Sequence, residues 1–480
     1  MPGTRWYVNA FMSVVLIAAL TTAASTAEDG QKGAGEGADN LGRGKIIEKV
    51  VTLHDPQQSY ALYLPSNYDP ARKWPILYGF SPGARGKNPV WLFKPAAEKY
   101  GWIVVGSNNS RNGPWEPIAK AVEAVLKDTE ARLSIDRSRR YSTGFSGGAR
   151  VGFYLAAKEK FAGTIPVGAG LSRGQKPPAK DEMVVFSMCG QRCFNHGELL
   201  RLEAQLRRTG ARNRMATFDG EHQWAPRKMC GAALRYMELL WLLEKKGVDD
   251  QAVAAILALE LDDAEKQLKT KGQFMRGHER LRELAALGKQ EKVAARVAEV
   301  EASEKYKTEK ALADRVAGIR SEVAKIDDAD RRFEETVKRY TKFISDEPES
   351  EAAARLKVQL RSLAQQMAMG GAILMNRKDY RRAETYLRRA RLFSPRDKNL
   401  AYNLACAQAR NGKKEAAVKM LAEAVKLGFT DFDHIRKDPD FESLRENSKF
   451  TEILESLSGK DGDGAGEEEK AKAQDPGAAG

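Results

Sequence analysis

The stretch Tyr141-Ser142-Thr143-Gly144-Phe145-Ser146-Gly147-Gly148-Ala149-Arg150 constrains this chain more than any other. It lies between two helix-like segments and reads as a short β-strand turning sharply into a helix, with Ser146 at the bend. Gly144 and Gly148 flank the serine at i−2 and i+2. A side chain at either place would block so tight a turn, whose backbone needs unusual dihedrals. The pattern G-x-S-x-G lifts a hydroxyl out of the sheet edge. It sets that hydroxyl at a helix N-terminus, where free N–H groups favour developing negative charge.

A chain of 480 residues exceeds what one hydrophobic core holds, so two or more domains are expected. All seven tryptophans lie at or before Trp241, and no proline occurs between Pro226 and Pro348. The first half therefore reads as α/β and the second as helical, with the boundary near Lys245 to Asp250. Arg5, the apolar run Ala10 to Leu20 and the small residues Ala24-Ser25-Thr26-Ala27 predict a signal peptide over residues 1–27. The protein would then be periplasmic or extracellular, with no membrane span left after cleavage; an uncleaved N-terminal anchor is the alternative. Residues 28–44 and 458–480 are expected to be disordered. The formal charge is +14, but basic and acidic residues are interspersed through the helical half, and aromatic platforms for single strands are absent there. Nucleic acid is not expected as a partner, whereas an anionic polysaccharide or lipid surface remains open.

Along residues 45–246, Lys45 to Thr52 and Gln58 to Leu64 read as two early strands. Trp74 to Phe80 is a buried strand entering the loop Ser81-Pro82-Gly83-Ala84-Arg85-Gly86. Strand Trp102 to Gly106 precedes a polar loop, and a helix from Glu116 to Leu133 leads to the elbow. Further strands are expected at Gly163 to Val167, Met183 to Met188 and Met215 to Phe218, with a helix from Gly197 to Arg208. Alternating strands and helices imply right-handed crossovers and a parallel sheet that binds ligands at its strand C-termini. The last strand runs into Asp219-Gly220-Glu221-His222-Gln223-Trp224, which places one of only five histidines downstream of the serine. That order suits a serine nucleophile with His222 as its base.

Residues 45 to 244 resemble an α/β-hydrolase of the polyhydroxybutyrate-depolymerase and feruloyl-esterase branch. The resemblance rests on YALYLPSNYDPARKWPILYGF, EKYGWIVVGSNNSRNG, YSTGFSGGARV and DGEHQW. It implies that Ser146 is the nucleophile, His222 the base and the Gly147 amide one oxyanion donor. A second donor would come from Phe80 or Ser81, although the usual His-Gly pair of that loop is missing. The implied activity is cleavage of an ester of unknown size; a peptidase on the same fold is also open. No cofactor and no metal are expected.

One departure stands out. Where the family carries an aspartate, this chain has Gly190-Gln191-Arg192-Cys193-Phe194-Asn195. A thiol does not hold an imidazolium as a carboxylate does, so three alternatives stay open. Glu198, Asp219 or Glu221 supplies the acid, the enzyme is a slow dyad, or the site is a vestige used for binding. In an exported protein, Cys193 paired with Cys189 or Cys230 would brace this loop. His196 reads as a surface loop residue.

In the second half, residues 250–345 show apolar residues at helical spacing. Leu312, Val316, Ile319, Val323 and Ile326 suggest a coiled-coil-like seam, a helical hairpin or ordinary helix packing. Over residues 364–457 a period of 34 appears: Gly371, Ala383, Leu387 and Ala390, then Ala405, Ala417, Leu421 and Ala424. The closing segment resembles a terminal tetratricopeptide repeat with its cap. That resemblance implies a concave face for a protein partner, or a purely structural role.

Overall fold

In the computed structural model, which describes residues 41–245, 250–287 and 291–458, eight strands form one sheet. They are β1 (Ile46–Val51), β2 (Ser59–Tyr63), β3 (Trp74–Phe80), β4 (Ile103–Ser107), β5 (Ile135–Phe145), β6 (Gly163–Val167), β7 (Val184–Gly190) and β8 (Asn213–Phe218). Their order across the sheet is β1-β2-β4-β3-β5-β6-β7-β8. The β1–β2 and β2–β4 pairs are antiparallel, and the other neighbours are parallel. The signal segment and almost all of the expected tail lie outside the described residues, as does most of the tether. Leu41, at the end of the stretch expected to be disordered, is instead buried, and Arg43 bridges to Leu64.

Alternation along the strands builds two covered faces, because successive side chains point to opposite sides. The helices of this part are α1 (Lys87–Tyr100), α2 (Trp115–Arg132), α3 (Gly147–Lys158), α4 (His196–Thr209) and α5 (Arg227–Glu244). Tyr60, Leu62, Ile76, Tyr78, Ile103 and Val105 pack with α2, α3 and α4 on one face. Ala61, Tyr63, Leu77 and Val104 pack with α1 and α5 on the other. The parallel strands from β3 to β8 direct their C-terminal ends to one edge, where the candidate residues gather.

β5 is longer than the short strand expected. The polar run Asp136-Arg137-Ser138-Arg139-Arg140, read as helix-like, is its first half. Within this run Arg137 and Ser138 are exposed, while Arg139 is buried, pairs with Glu238 and lies over the Trp241 ring at 3.6 Å.

Six further helices follow: α6 (Asp250–Lys269), α7 (Phe274–Ala286), α8 (Glu291–Ala302), α9 (Glu304–Ala324), α10 (Ala329–Asp346) and α11 (Glu351–Asn376). The chain divides into two compact units, and helical residues up to 322, together with 339–362, belong to the same unit as the sheet. An ion cluster ties α6 and α7 to that sheet. Glu260, fully buried, accepts from Arg214 Nη1 on β8 at 2.5 Å, Arg235 Nε on α5 at 2.7 Å and Arg280 Nη2 on α7 at 2.8 Å. Of the expected apolar seam, Val316 is buried in one small cluster with Tyr340, Phe343, Ala353 and Leu356, against which Leu312 and Ile319 pack.

The second unit comprises residues 323–338 and 363 onward. It contains α12 (Tyr380–Arg391), α13 (Lys398–Arg410), α14 (Lys414–Lys426), α15 (Phe432–Lys437), a 3-10 turn (Pro439–Leu444) and α16 (Ser448–Ser458). Ala383, Leu387, Ala390, Ala405, Ala417, Leu421 and Ala424, the residues of the 34-residue period, are all buried in its core. A Cβ on Gly371 would lie 2.7 Å from Leu387 Cγ, so this glycine sits at a close helix crossing. Among the described residues no helix is long and apolar enough to cross a membrane.

Candidate active site

Ser146 stands between β5 and α3 with φ +54° and ψ −120°, a strained conformation for a residue with a side chain. The two flanking glycines make it possible. A Cβ on Gly144 would lie 2.2 Å from the Gly148 carbonyl oxygen, and one on Gly148 would lie 2.2 Å from the Phe80 carbonyl oxygen. The Ser146 amide donates to the Val167 carbonyl at 2.9 Å, anchoring the bend to β6.

His222 arrives from the loop after β8. Its Nε2 lies 2.8 Å from Ser146 Oγ. The imidazole is held between Phe145 and Phe194, with ring centroids 4.7 and 4.1 Å away. On its other side, Nδ1 lies 3.1 Å from Cys193 Sγ. The residue that takes the place of a triad carboxylate is therefore the cysteine itself.

None of the three candidate carboxylates reaches His222. Glu198 forms a two-pronged pair with Arg150, at 2.8 and 2.9 Å, and accepts from the Gly170 amide. Asp219 pairs with Arg192. The Glu221 side chain is exposed, and only its backbone carbonyl is engaged, by the Gln223 amide.

The environment of Cys193 holds its thiol below the ordinary range. A hydrogen bond from the Cys189 thiol is the largest influence; with His222 and the Asn195 amide it outweighs burial and lowers Cys193 to about 5. The same hydrogen bond and burial push the Cys189 thiol well up. The Asn195 amide points at Cys193 Sγ from 3.4 Å. The anticipated disulfides are not formed: Cys189, Cys193, Cys230 and Cys406 are all buried, and none is joined to another by a disulfide. His196 is also not a surface residue; it is buried, with Nδ1 3.1 Å from the Gly190 carbonyl oxygen. From α11, Ser362 Oγ donates to the Phe194 carbonyl at 2.7 Å and accepts from the Gly197 amide at 3.1 Å, bracing the loop that carries Cys193.

Gly147 begins α3, where helix N–H groups have no intrahelical acceptor. The Ser81 nitrogen lies 3.1 Å from where a Gly148 Cβ would be, so this amide borders the same turn. Phe80 is the last paired residue of β3, opposite Gly144, and turns its carbonyl toward Gly148. Asn112 was only part of a polar loop in the sequence, yet its Oδ1 would lie 1.8 Å from a Cβ on Gly147. A cleft of about 640 Å³ opens beside Gly147 and Gly148, bordered by Arg111, Trp115, Tyr154 and Arg173. Of the residues missed in sequence, Cys189 had the clearest signal, since a turn placing Cys193 four residues on brings the two thiols together.

No family model matches this chain. The chain is 28% identical over 153 residues to probable feruloyl esterase C of Aspergillus oryzae (strain ATCC 42149 / RIB 40), a match covering 28% of this chain and 56% of that protein. The corresponding Aspergillus flavus protein is 29% identical over 154 residues, with the same coverage. The chain thus spans about half the length of these curated relatives. A chloroplastic protein of Arabidopsis thaliana is 38% identical over 65 residues, 13% of this chain and 19% of that protein. Among solved structures, the fluorophosphonate-binding serine hydrolase FphF of Staphylococcus aureus is 15% identical, with a TM-score of 0.34 over 41% of this chain and 99% of that one. The eight-stranded α/β sheet with its elbow and serine–histidine pair resembles that of α/β-hydrolases.

Proposed function

We propose that this chain is a serine hydrolase that cleaves carboxylic esters through an acyl-enzyme on Ser146. The observation that carries the reading is the 2.8 Å separation of Ser146 Oγ and His222 Nε2 at a strained strand-to-helix bend. Its similarity to two probable feruloyl esterases supports the ester as the bond cleaved. In acylation, Nε2 takes the Oγ proton as Oγ attacks the carbonyl carbon, and the new oxyanion is met by the Gly147 and Ser81 amides. The imidazolium then gives that proton to the departing alcohol. A water activated by the same nitrogen releases the acid and regenerates Ser146. Cys193, as thiolate, accepts from Nδ1–H, fixes the tautomer and balances the charge that forms on the ring.

Residues 1–27 support export, and the burial of Cys189 and Cys193 shields their thiols from an oxidising surrounding. The 34-residue period with its buried small residues supports tetratricopeptide-like repeats that take a protein partner. The direct test is turnover of p-nitrophenyl acetate. Ser146→Ala and His222→Ala should each lose about a thousandfold or more in kcat. Unchanged turnover in Ser146→Ala overturns the assignment.

A further inference from the structure

The cleft beside the Ser146 turn has an unusual lining: three arginines and, among the described residues, no carboxylate. Arg150 is already occupied, donating to Glu198 and to the Leu171 carbonyl. Arg111 and Arg173 are exposed and have no acidic partner among the described residues. Their backbones are nonetheless held in place. Arg111 bridges to Gly83, and the neighbouring Asn112 amide donates to the Pro82 carbonyl at 2.9 Å. Arg173 lies in a turn closed by Ser172 and Gln175, whose groups bond reciprocally at 2.7 and 3.1 Å. Between these loops, Trp115 and Tyr154 meet edge to face at 4.6 Å and remain 46% and 37% exposed, which leaves an aromatic platform open to solvent.

Guanidinium groups recognise carboxylates through paired hydrogen bonds, and an aromatic face accepts the flat, C–H-rich side of a sugar ring. We infer that the cleft is a subsite for the alcohol part of the substrate, an ester of an acidic, uronate-bearing saccharide, whose carboxylates meet Arg111 and Arg173 while a ring lies on Trp115 and Tyr154. The inference rests on the ester-hydrolase reading of Ser146 and extends it to a substrate class.

Two measurements on the full chain test it. In the first, unsubstituted oligogalacturonate is titrated by calorimetry into Ser146→Ala and into Ser146→Ala carrying Arg111→Gln and Arg173→Gln, a binding readout that needs no turnover. The arginine replacements should weaken binding about tenfold or more, and raising the salt to about 0.5 M should erode the difference, since exposed charges are screened. Equal binding by the two proteins, or none by Ser146→Ala, overturns the subsite. In the second, kcat/KM on acetylated oligogalacturonate is compared with that on acetylated xylo-oligosaccharide, with p-nitrophenyl acetate as reference. The double arginine variant should lose about tenfold on the uronate ester and stay within about twofold on the neutral and reference esters. Equal losses on all three overturn the subsite alone. A preference for p-nitrophenyl hemisuccinate without one for the uronate ester overturns the saccharide assignment. Failure of the wild type on every ester removes the hydrolase reading, and the subsite with it.

Discussion

Cys193 Sγ lies 3.1 Å from His222 Nδ1, opposite the nitrogen that faces Ser146. A thiol there would be a poor substitute for a carboxylate, but a thiolate carries the same charge. Three donors lower the Cys193 thiol and favour its thiolate: the Cys189 thiol, His222 and the Asn195 amide. In the proposed mechanism this arrangement would keep the electrostatics of a serine triad while changing the atom that supplies them.

Substituting this position should separate charge from geometry. Cys193→Asp should stay active, whereas Cys193→Ala should lower kcat by about two to four orders of magnitude with little change in KM, as loss of the orienting anion does elsewhere. Steady-state kinetics on p-nitrophenyl acetate checks both. Full activity in Cys193→Ala would show that His222 needs no anion on Nδ1.

Cys189 should set the pH range in which that anion exists. Cys193 is lowered to about 5, first by the Cys189 hydrogen bond, so its thiolate persists above about pH 5. Removing the donor in Cys189→Ala lets the Cys193 value rise toward the ordinary thiol range, so the thiolate is lost at higher pH. The acid limb of kcat/KM should therefore move upward by a unit or more, an order-of-magnitude expectation from the size of such shifts. An unmoved limb would remove Cys189 from the account.

Gly148 should tolerate no side chain. Its Cβ would stand 2.2 Å from the Phe80 carbonyl oxygen, so Gly148→Ala must push the Ser81 loop away from α3. The expected result is a folded protein by circular dichroism with kcat lowered about a hundredfold or more, the usual cost of displacing an oxyanion donor. Gly318→Ala, where a Cβ meets nothing within 4 Å, is the matched control and should leave kcat unchanged.

Glu260 should govern the stability of the unit that carries the site. Burial opposes its charge, but Arg214, Arg280 and Arg235 outweigh burial and hold it at about 2 against an ordinary 4.5. A lowered carboxyl stabilises the fold fully above about pH 4.5, and that contribution is lost as pH falls through about 2. Glu260→Gln leaves three guanidiniums with only Glu283 and Asp263 as carboxylate partners and should cost about 3 to 5 kcal/mol in urea unfolding at neutral pH. The gap to wild type should narrow between about pH 4.5 and 2.

Much of this site is legible in one dimension because its demands are local. Gly144 and Gly148 are dictated by clashes within a few residues of Ser146, and the strands alternate or run apolar as a covered sheet requires. What stayed hidden depends on distant partners. Cys193 stood in view at the acid position, but its ionisation depends on Cys189 and on His222, 29 positions away. The charged first half of β5 read as helix-like because Glu238, the partner of Arg139, lies 99 residues further on. Arg111, Trp115, Tyr154 and Arg173 come from separate segments, and only the folded sheet edge brings them to one cleft.

The central claim is that Ser146 is a nucleophile activated by His222, and covalent labelling addresses it without a choice of substrate. Folded wild-type protein treated with a fluorophosphonate should gain one adduct by intact mass, mapped to the peptide containing Ser146. The adduct should be absent in Ser146→Ala and strongly slowed in His222→Ala. No adduct on folded wild type, or an equal adduct on Ser146→Ala, would contradict the account.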